Sequence, residues 1–336
     1  MDAHTKRHLP EAEVNGLVHR ALGRRAVAAR ELGAGTFAAL WRVRLDDGRE
    51  VVVKLSPPGD AALLAYERDI IRTEAMFYPL AEGTGVPQPR LLHACLDDPV
   101  PHLIMTAVEG IPWSEAAERL AEEESRRLRG TLGQYVAALH RVKGTEFGYP
   151  HLPGMRAATW KEAFLAMVDG LLADAVRFDA DLPWPAGEIA HAVRAGAGAL
   201  DEVTEPALVH FDLWPGNILL DLDLDLDLDL DLDRDRDRRP PRIAALIDHE
   251  RAFWGDPLAD FVSLDVYGRA EHDPDLLRGY RQAGGRLELT EGALTRLALY
   301  RTYLYLIMII EEKPRGFDDA DRHDRIVKGL LEQLIR

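Results

Sequence analysis

The sequence predicts an α+β protein of two lobes: a small N-terminal antiparallel β lobe carrying one helix, then a larger, mainly helical C-terminal lobe. Three observations predict it. Residues 26–110 hold short β-rich runs around a single helical pattern. Residues 111–205 turn Ala-, Leu- and Glu-rich with helical periodicity. Near 207–254, two apolar runs that each end in polar residues read as a strand–loop–strand unit, after which helix returns. The lobes are expected to divide as 1–107 and 108–336.

The elements follow in order. "VAARELGAGTFAALWRVRL" (27–45) and "GREVVVKLS" (48–56) read as strands, with "DDG" (46–48) as the hairpin turn before the second. "AALLAYERDIIRTEAMFYPLAEG" (61–83) predicts a helix of about five turns, stopped by Gly83 and Gly85. "RLLHACLDD" and "PHLIMTAVEG" add two strands. "EAAERLAEEESRRLRGTLGQYVAALHRV" is helical with a solvated charged face, and the greasiest run, "YLYLIMII" (303–310), is too short to span a membrane and reads as buried helix.

Composition narrows the function classes. The chain has 336 residues and a net charge of −16, which argues against a nucleic-acid backbone as partner and suits a cationic small molecule. Cys95 is the only cysteine, so no internal disulfide is possible and a reducing cytoplasm is the default. The opening "MDAHTKRHLPEAEV" lacks an apolar run and reads as no signal peptide.

The chemistry concentrates in "LVHFDLWPGNILL" (208–220) and "IAALIDHERAFWGDPLADF" (243–261). One apolar strand delivers His210, Phe211 and Asp212 into a loop that ends at Asn217; another ends in Asp248. An amide oxygen and a carboxylate at two strand ends are the hard-oxygen ligands Mg²⁺ prefers. Lys54 is a charge in a valine-rich strand, placed either outward or into a cleft to hold phosphates with a helix glutamate as partner. Glu74, and Glu67 seven residues earlier, lie on one face of the expected helix. "GAGTFA" (33–38), with Gly33 and Gly35, joins two strands and offers backbone N–H groups to phosphate.

In this order, the Gly loop, Lys54, Glu74, the "IMTAVEG" segment, "HFDLWPGN" and "IDHE…GDPLAD" resemble the protein-kinase-like fold and, more narrowly, the aminoglycoside phosphotransferase, choline kinase and fructosamine kinase group. The resemblance implies an ATP-dependent transfer of the γ-phosphate to a hydroxyl of a small molecule. It implies Asp212 as the catalytic aspartate, Asn217 and Asp248 as Mg²⁺ ligands, and Lys54 with Glu74 as the phosphate-placing pair. Main-chain groups of Thr106 and Val108 would bind the adenine edge. The acceptor it points to first is an aminoglycoside, amino sugar or related antibiotic, with Trp214, Glu250, Glu311 and Glu312 as weak candidates for the substrate wall. Trp214 in "HFDLW" is also similar to the fructosamine-kinase loop "HGDLW", which keeps a ketosamine acceptor open; a non-catalytic nucleotide-binding scaffold is the remaining alternative. Phe211 departs from the family's glycine between His and Asp, and His249 stands where an aromatic residue is usual.

The run "DLDLDLDLDLDLDRDRDR" (221–238) invites a Ca²⁺-binding reading. It fails: Leu226 and Leu232 occupy the places where an EF-hand loop needs its turn glycine and its bidentate glutamate. Nine Asp and four Arg over 221–239 contribute −5 of the total charge, leaving −11 elsewhere. The run connects the strands whose other ends carry Asn217 and Asp248, so in an antiparallel pair its base lies about 10–13 Å from them.

Overall fold

The computed structural model describes residues 6–33, 37–222, 239–316 and 320–335. A helix not anticipated above, α1 (Glu11–Leu22), precedes the first strand. Its signal is present in the sequence: Val14, Leu17 and Val18 fall at i, i+3 and i+4 and are the buried residues.

The N-terminal sheet has five antiparallel strands: β1 (Ala26–Leu32), β2 (Ala39–Leu45), β3 (Glu50–Leu55), β4 (Leu91–Cys95) and β5 (His102–Thr106), in the order β1-β2-β3-β5-β4. The β2–β3 hairpin turns at the expected place, with Gly48 at φ 83°, a left-handed backbone that suits glycine. Side-chain alternation along β3 sends Val51, Val53 and Leu55 to the α1 face, where they pack with Ile104. It sends Val52 to the opposite face, which carries α2 (Ile71–Ala81). Lys54 takes that second face and is only 5% exposed, so the outward-facing alternative does not hold.

The helix expected over 61–83 is shorter. Residues Ala65–Glu67 form a separate 3₁₀ turn, and α2 begins only at Ile71. Between them Asp69 sits at φ 56°, a left-handed residue that no continuous helix tolerates. Glu67 therefore does not share a helix face with Glu74. Its carboxylate caps the Leu64 N–H at 2.8 Å and pairs with Arg315 from the far end of the chain.

The remaining elements are β6 (Ile111–Pro112), α3 (Trp113–Ala116), α4 (Glu122–His140), β7 (Phe147–Gly148), β8 (Arg156–Ala157), α5 (Trp160–Arg177), α6 (Ala186–Gly196), β9 (Ala207–Val209), β10 (Ile218–Asp221), β11 (Arg242–Leu246), β12 (Phe253–Gly255), α7 (Asp260–Ser263), α8 (Pro274–Gln282), α9 (Glu291–Arg315) and α10 (Ala320–Leu334). They include two small sheets, β11-β10-β6 and β8-β7-β12-β9. Helix α9 runs through the main core and contains "YLYLIMII". By length and composition it is apolar enough to cross a membrane, but 78% of its apolar window is buried inside the fold.

Strands β10 and β11 pair antiparallel, Ile218 with Leu246 and Asp221 with Arg242. At the far rung Arg242 Nε donates to Asp221 Oδ2 at 2.8 Å. Of the acidic run, residues 223–238 lie outside the described residues, while Leu222 is buried in the core. Replacing 223–238 with a short Gly/Asn turn, Leu222 retained, is expected to leave turnover within about twofold, because the rung is at least about 13 Å of strand away from Asn217 and Asp248. Loss of turnover at unchanged melting temperature would contradict this.

Candidate active site

The cleft is assembled from four segments. From β3, Lys54 Nζ lies 2.6 Å from Glu74 Oε2, 2.5 Å from Asp248 Oδ1 and 2.7 Å from Glu250 Oε2. Tyr78, one helical turn beyond Glu74, donates its hydroxyl to Glu74 Oε1 at 3.0 Å and fixes that carboxylate. Burial alone would push the Lys54 ammonium down, but Asp248, Glu250 and Glu74 outweigh it and hold it well above the ordinary lysine value. One ammonium does not balance three carboxylates. Burial, reinforced by the charges of Asp248 and Glu74, pushes the Glu250 carboxyl up to about 8 against the opposing Lys54.

Asp212 stands beside this cluster on the loop after β9. Asn217 Nδ2 donates to its carbonyl at 2.9 Å and its Oδ2 at 3.0 Å. Burial pushes the Asp212 carboxyl up to about 6, against the opposing pull of Arg251. Asn217 opens β10, and Asp248 follows β11 with the left-handed backbone φ 64°. Ile247 N–H donates to the Asn217 carbonyl at 3.0 Å, so both candidate ligand residues lie at the same end of the hairpin, as the antiparallel reading requires.

The loop backbone is held from behind. Asp260, fully buried, accepts the N–H of His210 at 3.1 Å and of Phe211 at 2.7 Å, and His140 Nε2 lies 2.9 Å from its Oδ2. The Asp260 carboxylate thus reaches back about 50 residues to the backbone of the 210–212 loop, a contact that linear spacing does not reveal. Asp256 does cap, accepting from Leu258 N–H at 3.0 Å, and also holds Arg296 and Tyr300 of α9. Asp212 N–H donates to His210 Nδ1 at 3.2 Å, which places the proton of a neutral His210 on Nε2, facing His249 Nδ1 at 2.9 Å. His249 stacks on Phe77 with ring centroids 4.1 Å apart, filling the usual aromatic's place.

Phe211 explains its own departure from the family pattern. Its backbone sits at φ 61°, where glycine carries no Cβ penalty and phenylalanine is strained by about 1–2 kcal/mol. Its ring is buried against Phe253 and Tyr303, at centroid distances of 5.0 and 5.9 Å. Removing a buried phenylalanine typically costs about 3–5 kcal/mol, so packing wins over strain. Phe211→Gly is expected to lose about 1–4 kcal/mol in denaturant unfolding; a gain in stability would refute the packing argument.

The other sequence candidates divide. Trp214 is 43% exposed and lies over Gly216, where an added Cβ would meet its ring at 2.2 Å. It therefore packs on its own loop and still presents an open face. Glu250 belongs to the Lys54 cluster instead of a substrate wall. Glu311 is bracketed by Arg251 at 3.1 Å and Arg315 at 2.9 Å, which neutralises the charge proposed to attract a cation. Glu312 is buried beside His323. Thr106 N–H is committed to the Arg90 carbonyl at 3.0 Å and its hydroxyl to Arg90 N–H, whereas Val108 lies in the irregular segment after β5. Gly33 closes β1, with nothing within 4 Å of where a Cβ would stand; Gly35 lies outside the described residues. Arg251, adjacent to Glu250 in sequence, was not anticipated, because its partner Glu311 is 60 residues away.

Comparison with known proteins agrees with this geometry. The model of the phosphotransferase enzyme family matches residues 28–300, most of the chain. Streptomycin 3''-kinase of Streptomyces griseus is 29% identical over 262 residues, covering 76% of this chain and 89% of that protein. Among solved structures, a candidate fructosamine-3-kinase from Thermobifida fusca superposes with a TM-score of 0.67 at 21% identity, covering 97% of this chain and all of the other. The streptomycin–ATP–APH(2'')-IIa ternary complex superposes with a TM-score of 0.58 at 17% identity, covering 98% of this chain and 99% of that one. The kinase-like fold expected from the sequence is thereby shown, and the non-catalytic scaffold is set aside. The chain belongs to the phosphotransferase enzyme family and is a phosphotransferase whose acceptor is an alcohol group.

Proposed function

We propose that this protein uses ATP and Mg²⁺ to phosphorylate a hydroxyl of an aminoglycoside, amino sugar or related small molecule. One observation carries the reading: the Lys54–Asp248 contact, 194 residues apart in sequence, is formed beside the Asp212–Asn217 pair. The donor set fits the cofactors. Asn217 turns its nitrogen to Asp212, which leaves Oδ1 as the atom for a cation, and the surplus of carboxylates over Lys54 leaves negative charge for a cation to neutralise. Asn217 and Asp248 would hold Mg²⁺, which would neutralise charge on the phosphates.

The protein's own residues do the rest. Lys54, oriented by Glu74, holds the phosphates. The Thr106 carbonyl and the Val108 main chain take the adenine edge. Asp212 accepts the proton of the attacking hydroxyl; a weak base suffices, since phosphoryl transfer asks mainly for positioning and charge neutralisation. The overall charge of −16 favours a cationic acceptor, and with it a cytoplasmic enzyme without nucleic-acid or membrane partners. An antibiotic acceptor would make the activity one of antibiotic resistance. The open face of Trp214 beside Asp212 favours a second acceptor class, ketosamines, in which a sugar stacks on the indole.

An ATP-consumption screen over aminoglycosides, amino sugars, ketosamines, macrolides, choline and homoserine separates these, with Asp212→Ala as the blank. Turnover above the blank is expected with a cationic amino sugar or aminoglycoside. A response to ketosamines alone would transfer the assignment to the second class, and turnover unchanged in the blank would overturn the role of Asp212.

A further inference from the structure

Away from the cleft, on the α1 side of the N-terminal sheet, three side chains of metal-binding type meet. Cys95 closes β4 and pairs directly across the ladder with His102, the first residue of β5; His93 is two residues back on β4, opposite Ile104. Opposed residues in an antiparallel pair share a face, so register sets all three side by side. One ligand atom from each of His93, Cys95 and His102 lies within 4.8 Å of the others. A tetrahedral zinc site with bonds of about 2.0–2.3 Å needs separations of roughly 3.3–3.6 Å, so the ligand atoms would draw together by at most about 1.5 Å on binding.

His102 has the features of a ligand. It is buried, and its Nδ1 lies 2.8 Å from the Val100 carbonyl, an acceptor only, so Nδ1 carries the proton and Nε2 keeps its lone pair. A backbone carbonyl on the second ring nitrogen is the usual orienting contact of a metal-bound histidine. Burial lowers its pKa, which keeps the ring neutral; Asp98 and Arg20 act on it with opposite signs. His93 and Cys95 are half-buried, so the cluster is reachable from solvent.

We propose that His93, Cys95 and His102 form a binding site for a zinc-class divalent cation, with three protein ligands and a fourth position open to water. The mix of one thiolate and two imidazoles selects Zn²⁺ over the hard Mg²⁺ of the cleft. Bound there, the cation ties the edge strand β4 to β5 and stabilises the N-terminal sheet.

Cobalt(II) titration of the reduced, metal-stripped, full-length chain without a histidine tag tests it. Cys95 is the only cysteine, so a thiolate-to-cobalt charge-transfer band reports this site alone and is silent for oxygen ligands such as the acidic run. The expected result is one equivalent of Co²⁺ with that band, displaced by Zn²⁺. Cys95→Ser should abolish the band and His93→Ala should weaken binding at least about tenfold, both keeping the metal-free melting temperature and ATP turnover of the parent. Zn²⁺ should raise the melting temperature of the parent and not of Cys95→Ser. No band in the parent, or parental affinity in His93→Ala, overturns the site.

Discussion

Asp212→Ala is expected to lower kcat by about 10³-fold while the protein melts at the same temperature or higher. The loss follows from the proposed role of Asp212 as proton acceptor at the reacting hydroxyl, since general base catalysis contributes about 10²–10⁴-fold. The stability gain follows from linkage. The folded-state carboxyl titrates at about 6, above its ordinary value of 3.8. A raised acid binds its proton more tightly in the folded state, so at pH 7, where both states are ionised, the carboxylate opposes folding by up to about 3 kcal/mol. Alanine removes that opposition. Steady-state kinetics together with a pH 7 melting curve check both halves, and a strongly destabilised variant would mean that Asp212 serves the fold as well as the chemistry.

Asp260→Ala is expected to cost about 3–5 kcal/mol and to lower kcat more than it changes KM. Its carboxylate satisfies three buried donors: the backbone N–H groups of His210 and Phe211 and the His140 ring. Each orphaned buried donor costs about 1–3 kcal/mol, and the sum is less than additive. Without the Phe211 N–H anchor, that residue loses the hydrogen bond that holds it at φ 61°, so its backbone relaxes and Asp212 shifts. Asp260→Asn, which keeps one acceptor oxygen, should fall between the two. Measured well below the melting temperature, an Asp260→Ala enzyme with parental kcat would show that Asp260 supports the fold without positioning the loop.

The difference between these aspartates shows what linear sequence carries. Asp212, Asn217, Asp248, Lys54 and Glu74 were legible because strand ends, loop spacing and an out-of-place charge are local patterns. In the structure Glu74 and Asp248 both contact Lys54, and Asn217 donates to Asp212. The reach of Asp260 was not legible, since its partners lie about 50 residues back. Glu67 was misplaced because one left-handed residue, Asp69, divides the expected helix, and aspartate tolerates that backbone without announcing it. Glu311 looked like a free anion until α9 brought it between two arginines. Helix α1 shows the opposite failing: its i, i+3, i+4 pattern was readable and was passed over.

The Asp221–Arg242 rung has a genetic consequence. The tract repeats the Asp-Leu pair, so gain or loss of a repeat unit changes the chain by whole pairs of residues. The rung lies between that tract and the hairpin end bearing Asn217 and Asp248, so a change in copy number alters the length of the chain without altering the distance between the two residues that matter. Chains with fewer or more Asp-Leu pairs are therefore expected to remain the same enzyme.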